Sequence, residues 1–314
     1  MAQYLEDLMQ RLAVGATLLP EAVRTRHANY LLQAQNADGG FSGRERDSDL
    51  YYTGFALRAL AMLGELKGPV AEKAGKYLQA SMAGQAQIID FLSLLYSAAL
   101  LQASAGIDIF ANADAAWPDA VYRTLENLRR DDGGYVKTAD SSSSSTYNTF
   151  LVVLCLQLIG REISDPEKMT AFVKSRQRDD GGFVEISPMR RGGTNPTAAA
   201  VALLLLLNGM DHDTREKTLD FLVEMQTDEG GLKANTRIPL ADLLSTFTGL
   251  LTLADLHALD EIDLSALHRF ALDLESPTGG FHMASVDPAV DVEYTFYGLG
   301  TLSLLLGSSP TQGK

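Results

Sequence analysis

Acidic residues stand directly ahead of a Gly-Gly step again and again along this 314-residue chain, at Asp38, Asp132 and Asp180. Clustered carboxylates are the side chains that hold a magnesium ion against a diphosphate. The same residues favour tight turns, because an aspartate side chain can bond backbone two residues on. Recurrence at one helix end after another favours the turn. A second group able to do chemistry is aromatic: Tyr51, Tyr52, Tyr147, Phe150, Phe247, Tyr294, Phe296 and Tyr297 stand near the starts of almost uncharged helical stretches. Rings there either fill a core or line a cavity, where their π faces would cover an apolar chain and stabilise developing positive charge.

Three single residues stand out by context. Asp90 is the only acid in QAQIIDFLSLLYSAALL. It is a general-acid candidate if buried and protonated, or a first-turn acid that complements the helix dipole, which is the simpler reading. Arg58 interrupts another apolar helix, as a partner of Asp90 or a ligand contact, and the sequence does not choose between them. Cys155 is the only cysteine, which excludes an intramolecular disulfide and a Cys-rich metal site. It sits in TYNTFLVVLCLQLIG and reads as a buried structural thiol.

The elements that must position these residues come from an internal repeat. The second glycines of the Gly-Gly steps, Gly134, Gly182, Gly231 and Gly280, recur every 48 or 49 residues, and Gly40 lies 94 residues before the first of them. A sixth, degenerate unit is therefore expected near SMAGQAQIIDF. Each unit reads as a charged amphipathic helix, a Gly-Gly turn, a polar loop and a nearly uncharged helix, as in REKTLDFLVEMQ and TAAAVALLLLL. An amphipathic helix belongs at a surface and an all-apolar one inside. The residue after each Gly-Gly (Phe41, Tyr135, Phe183, Leu232 or Phe281) is suited to pin the loop to the core. No stretch shows the period-two alternation of a strand. The expected fold is all-α: six helix-hairpin repeats closed into an α/α toroid with a central cavity. Residues 1–20 are expected to form an N-terminal helical extension and 21–314 a single toroid. The Ser141–Ser145 run reads as a loop within it.

Composition narrows the function classes. Hydrophobic residues make up 46% of the chain and charged residues 21%, which is ordinary globular usage. A net charge of −14 and a pI near 4.7 argue against nucleic acid or an anionic membrane as main partner. The apolar run from Ala198 to Leu207 is too short to cross a bilayer, so no transmembrane segment is expected. The N-terminal MAQYLEDLMQRLAVGA carries acids and lacks the basic and apolar regions of a signal peptide, so a cytoplasmic setting is expected.

DGGF followed by a threonine-rich apolar helix resembles the prenyltransferase and squalene-cyclase repeat. The likeness is strongest to beta subunits of protein prenyltransferases, especially the Rab geranylgeranyltransferase type. It covers about Ala22 to Leu306 and is most evident from LDEIDLSALHRFALDLESPTGGF through VDVEYTFYGLGTLSLL. The resemblance implies a zinc ion held by an Asp-x-Cys pair and a histidine. Here those positions carry Asp242, Leu244 and Tyr294, with the aspartate three residues before the last kept as Asp291. Leucine cannot coordinate zinc and tyrosine does so rarely. No resident cofactor is therefore expected, and the side chains that could offer a substitute metal set are Asp242, Asp291, Glu293 and His282. The catalytic candidates implied are Asp242, Tyr294 and Asp291.

The resemblance also implies diphosphate-binding cations ahead of these helices. Candidates in this chain are Arg190, Arg191, Lys233 and Arg237, which either meet at one end of the ring to hold an anionic head group or are solvated loop charges. The cavity-lining candidates are Tyr51, Tyr147, Phe247 and Phe296. An Asp-x-Asp-Asp cyclase motif is absent; Asp47-Ser48-Asp49-Leu50 lacks the last aspartate. Two functions follow. One is a prenyltransferase-like protein that binds an isoprenoid diphosphate, with an alpha-type subunit as a possible protein partner. The other is a non-catalytic toroid that binds a hydrophobic ligand or a protein.

Overall fold

The computed structural model describes residues 3–45, 47–82 and 87–308. Six apolar helices form a closed inner ring: α3 (Leu50–Met62), α5 (Ile88–Ala105), α7 (Thr146–Leu158), α9 (Thr194–Leu206), α11 (Leu243–Asp255) and α13 (Val292–Ser308). Each packs against the next, and α13 packs back onto α3, which closes the toroid. Outside them lie α2 (Glu21–Gln33), α4 (Pro69–Ala80), α6 (Trp117–Glu126), α8 (Pro166–Lys174), α10 (His212–Glu224) and α12 (Leu264–Asp273). One further helix, α1 (Gln3–Thr17), precedes the ring and packs against α13, α3 and α7. Part of the degenerate second unit, residues 83–86, lies outside the described residues.

The Gly-Gly turn has two physical causes. The first glycine holds positive φ, from 83° at Gly181 to 99° at Gly279. A Cβ there would also strike the backbone of the next outer helix, at 2.0 Å from the Lys217 carbonyl oxygen for Gly181 and 2.3 Å from that of Ala266 for Gly230. The aspartates serve the turn: Asp38, Asp132 and Asp180 accept the second glycine's N–H at 3.0, 3.0 and 3.2 Å. The following residue is fully buried in all five turns. In the first four its N–H donates to a threonine hydroxyl on the inner helix (Thr53, Thr149, Thr197 and Thr246), which gives the threonine-rich pattern a structural cause.

Ring closure substitutes one residue in this scheme. Gln35, Gln177 and Gln226 each reach both their own Gly-Gly turn and the next outer helix. Where the sixth unit meets the first, that position is Glu275. It pairs with Arg26 and, at 2.8 Å, with the buried His27, whose Nδ1 accepts the Gly280 N–H. Burial lowers the His27 pKa, so the ring is held in its neutral form.

One expectation needs correction. Phe281–His282 and Val290–Asp291 pair as a short antiparallel ladder, because the chain doubles back after Gly-Gly; other repeats show the same approach as single bridges, such as Phe41 with Asp49. At 18 residues α5 is the one described helix long and apolar enough to cross a membrane by length and composition, and more than half of it is buried inside the fold. It is apolar because it is a ring helix packed between α3 and α7.

Candidate functional site

All six inner helices and α1 surround a cavity of about 430 Å³. That is within the usual range for small-molecule sites. Helix α1 forms one wall through Leu5, Leu8, Met9 and Leu12, the i, i+3, i+4, i+7 face of an amphipathic helix. Its contacts lie toward the C-terminal ends of the inner helices: Arg11 pairs with Asp255 at 2.5 Å, and Gly15 packs on the Ser303 backbone. At the other end, first-turn residues of the inner helices form a rim, where Tyr147 lines the cavity yet is 40% exposed.

The walls are strongly aromatic. Tyr51 meets Phe55 edge-on at 4.9 Å, Phe55 meets Tyr297 at 5.2 Å, and Phe247 meets Phe296 at 5.5 Å. Tyr4 from α1 meets Phe150 of α7 at 5.6 Å, which ties that helix to the ring interior. Tyr51, Tyr147, Phe247 and Phe296 all lie on the cavity wall, as does Leu244.

The rim is acidic, and its acids have structural duties. Asp242 begins α11 and accepts the Ser245 N–H at 2.7 Å and its hydroxyl at 2.8 Å. Asp291 accepts the Tyr294 N–H at 2.9 Å and the Arg44 Nε–H at 3.3 Å. Asp49 and Ser145 cap α3 and α7 in the same way, so Asp242 and Asp291 occupy a capping position that recurs around the ring. Glu185 receives the Ser145 hydroxyl and the Tyr147 N–H, a favourable place for an acid at a helix N-terminus. Burial raises the Asp242 carboxyl and pushes the Tyr294 phenol well up. Asp90 too is raised by burial, but it lies in the first turn of α5 and is not on the cavity wall. Cys155 is buried inside α7, and burial raises its thiol.

Glu293 is the rim acid most affected. It is 8% exposed and accepts the Tyr51 hydroxyl at 2.6 Å. Burial, with a smaller contribution from Asp291, lifts its pKa to about 7 against the pull of the Tyr51 hydrogen bond. A carboxyl raised on folding binds its proton more tightly in the folded chain. Its ionisation therefore erodes stability as pH rises from 4.5 to about 7. Glu293→Gln keeps an acceptor for Tyr51. It is expected to match wild type near pH 4.5 and to exceed it by about 3 kcal/mol at pH 8. Urea unfolding at the two pH values measures this; coincident curves at pH 8 would remove the buried-acid assignment.

The four candidate cations are placed differently. Arg190, Arg191 and Arg237 are exposed, Lys233 is half-buried, and none lines the cavity. Their loops do touch, since Arg191 donates to the Thr236 hydroxyl at 3.1 Å. The cation on the wall is Arg58, stacked over Phe55 at 4.7 Å and Tyr96 at 5.0 Å. Its sequence signal was a lone charge in LYYTGFALRALAM. The signal for α1 as a cavity wall was the apolar face just described.

The zinc site implied by resemblance does not fit these residues. Leu244 is an apolar wall residue, both Asp242 oxygens are occupied by Ser245, and the Tyr294 phenol is held neutral by burial. Among the described residues no three His, Cys, Asp or Glu side chains converge to hold a metal, so Asp242, Asp291, Glu293 and His282 do not form a substitute set.

Six helix pairs closed around an apolar chamber define an α/α toroid. The chain belongs to the prenyltransferase alpha-alpha toroid domain family, whose model matches residues 8–305. A comparison with curated proteins finds no match. Among solved structures, Candida albicans protein geranylgeranyltransferase-I complexed with GGPP is similar at TM-score 0.71 and 16% identity, over 90% of this chain and 91% of that one. The type II terpene cyclase MstE from Scytonema, as a variant in complex with geranylgeranyl dihydroxybenzoate, gives TM-score 0.61 and 13% identity over 96% and 98%. An alpha-1,6-mannanase from Salegentibacter gives TM-score 0.61 at 11% identity over 90% and 98%. At these identities the likeness is one of fold, and the fold hosts unrelated chemistries.

Proposed function

We propose that this toroid binds an isoprenoid diphosphate, with the hydrocarbon chain in the central chamber and the head group toward the rim loops that carry Arg190, Arg191, Lys233 and Arg237. The observation that carries the reading is the chamber itself: about 430 Å³, walled by aromatic and aliphatic side chains, closed on one side by α1 and reaching the rim at the inner-helix N-termini. Two of the similar structures hold geranylgeranyl compounds, which supports the choice of an isoprenoid chain.

The reaction that suits the site is prenyl transfer without resident zinc. The allylic carbon–oxygen bond breaks, diphosphate leaves with the electron pair, and the carbon bonds to an acceptor nucleophile. The rings around Phe55, Phe247, Phe296 and Tyr297 would shield the developing cation. The acceptor's proton would pass to Asp242 or Glu293, the rim carboxylates that burial makes more basic. Tyr294 and Asp291 frame the same place, and an alpha-type subunit is the partner expected to present the acceptor. A cytoplasmic location goes with this reading.

The acidic rim favours a second reading, in which the toroid holds a hydrophobic ligand and does not turn it over. Calorimetric titration with geranylgeranyl diphosphate and with geranylgeraniol separates the outcomes. Binding of either at micromolar Kd or tighter supports an isoprenoid chamber, and no heat with both rejects it. Transfer of a labelled prenyl group to protein or small-molecule acceptors then decides between enzyme and binding module.

A further inference from the structure

Arg58 carries a charge that no described carboxylate bonds, although Glu293 is near enough to feel it. It lies two turns inside α3, lines the chamber, and has its Nε buried with no hydrogen-bond partner. Among the described residues no carboxylate, carbonyl or hydroxyl bonds its guanidinium, which is held only by the faces of Phe55 and Tyr96. The side chain is half-buried, and a charge partly withdrawn from water is costly unless paired. The polar groups near it are phenols: Tyr51, Tyr96, Tyr147 and Tyr297, with Glu293 behind the Tyr51 hydroxyl. Tyr96 already donates to the Leu5 carbonyl at 3.3 Å, so its ring is fixed against the cation.

The two rings hold the guanidinium at the chamber wall, and its planar set of N–H donors can match a carboxylate bidentately. One cation with no second cation on the wall suits a single negative charge. The rim acids Asp49, Glu185, Asp242, Asp291 and Glu293 disfavour a more highly charged head passing inward. We propose that Arg58 is the binding site for the carboxylate of an apolar, isoprenoid-type acid that lies wholly within the chamber. This rests on the isoprenoid reading above and adds an acid-bearing ligand class to it, distinct from a diphosphate held at the rim.

The test compares geranylgeranoic acid with geranylgeraniol, which share one hydrocarbon chain, by calorimetry on the full chain. Wild type is expected to bind the acid about 10- to 100-fold more tightly than the alcohol. Arg58→Met is expected to erase that preference, so that acid and alcohol bind with similar affinity. Arg58→Lys, which keeps the charge without the fork, is expected to retain part of it and guards against a folding defect in the first variant. Equal affinity of wild type for acid and alcohol overturns the proposal, as does an acid preference that survives in Arg58→Met. Should neither ligand bind, the isoprenoid reading fails separately. Oleate against oleyl alcohol then probes Arg58 directly: an oleate preference lost in Arg58→Met supports the carboxylate site, and its absence overturns it.

Discussion

In Leu8→Trp, affinity for a geranylgeranyl chain is expected to fall by about three orders of magnitude, with a farnesyl chain much less affected. Leu8 stands on the chamber side of α1, between Leu5 and Leu12, and its side chain is part of the wall. A larger ring there would occupy the space of about one isoprene unit. Losing burial of about five carbons at roughly 0.8 kcal/mol each removes about 4 kcal/mol of binding. The half-buried position of Leu8 leaves room for adjustment on the outer side, so the helix is expected to stay docked. Titration with farnesol and geranylgeraniol reads the result. If both lose affinity equally, or neither does, α1 does not set the length of chain the chamber accepts.

The largest stability effect is expected at the Gly-Gly turn. Gly181→Ala would place a methyl group 2.0 Å from the Lys217 carbonyl oxygen, on a residue whose φ is 83°. Strain of about 1–3 kcal/mol from the backbone and a similar amount from overpacking sum to roughly 4 kcal/mol. The thermal midpoint is expected to drop by about 6 °C. Gly160→Ala is the matched control: its φ is 66°, yet a Cβ there meets nothing within 4 Å, and a loss of about 1 kcal/mol is expected. Differential scanning calorimetry of the pair separates close approach from conformational strain. Equal losses would mean that the contact between neighbouring repeats does not require glycine.

The same contact explains why so much of the architecture was legible. Each Gly-Gly records a local necessity, positive φ against a neighbouring carbonyl, repeated wherever one hairpin abuts the next. Each threonine that follows records a backbone N–H in need of an acceptor. Needs of this kind recur within each repeat or between one repeat and the next, so they leave a periodic trace.

Other features left a trace that could be read two ways. The acidic turns, the capping aspartates and the rim cations are compatible with ligand binding or with local structure. Only hydrogen-bond partners separated turn and cap duties from anything else. The apolar face of α1 marks a buried helix without saying what it buries against. Its place inside the ring depends on contacts with Phe150 and Asp255, more than a hundred residues away.

The sequence by itself determined the six-fold repeat, the inner and outer helices and the turn chemistry, because each depends on neighbours within one repeat or the next. Tertiary structure alone decided that α1 walls the chamber, that Glu275 joins the sixth unit to the first through His27, that Glu293 is buried against Tyr51, and that Arg58 stands on the chamber wall over Phe55 and Tyr96 with no acid bonded to it. Those four facts arise from closing the ring. Closure brings together residues from distant repeats, and their charge states follow from which of them share one desolvated space.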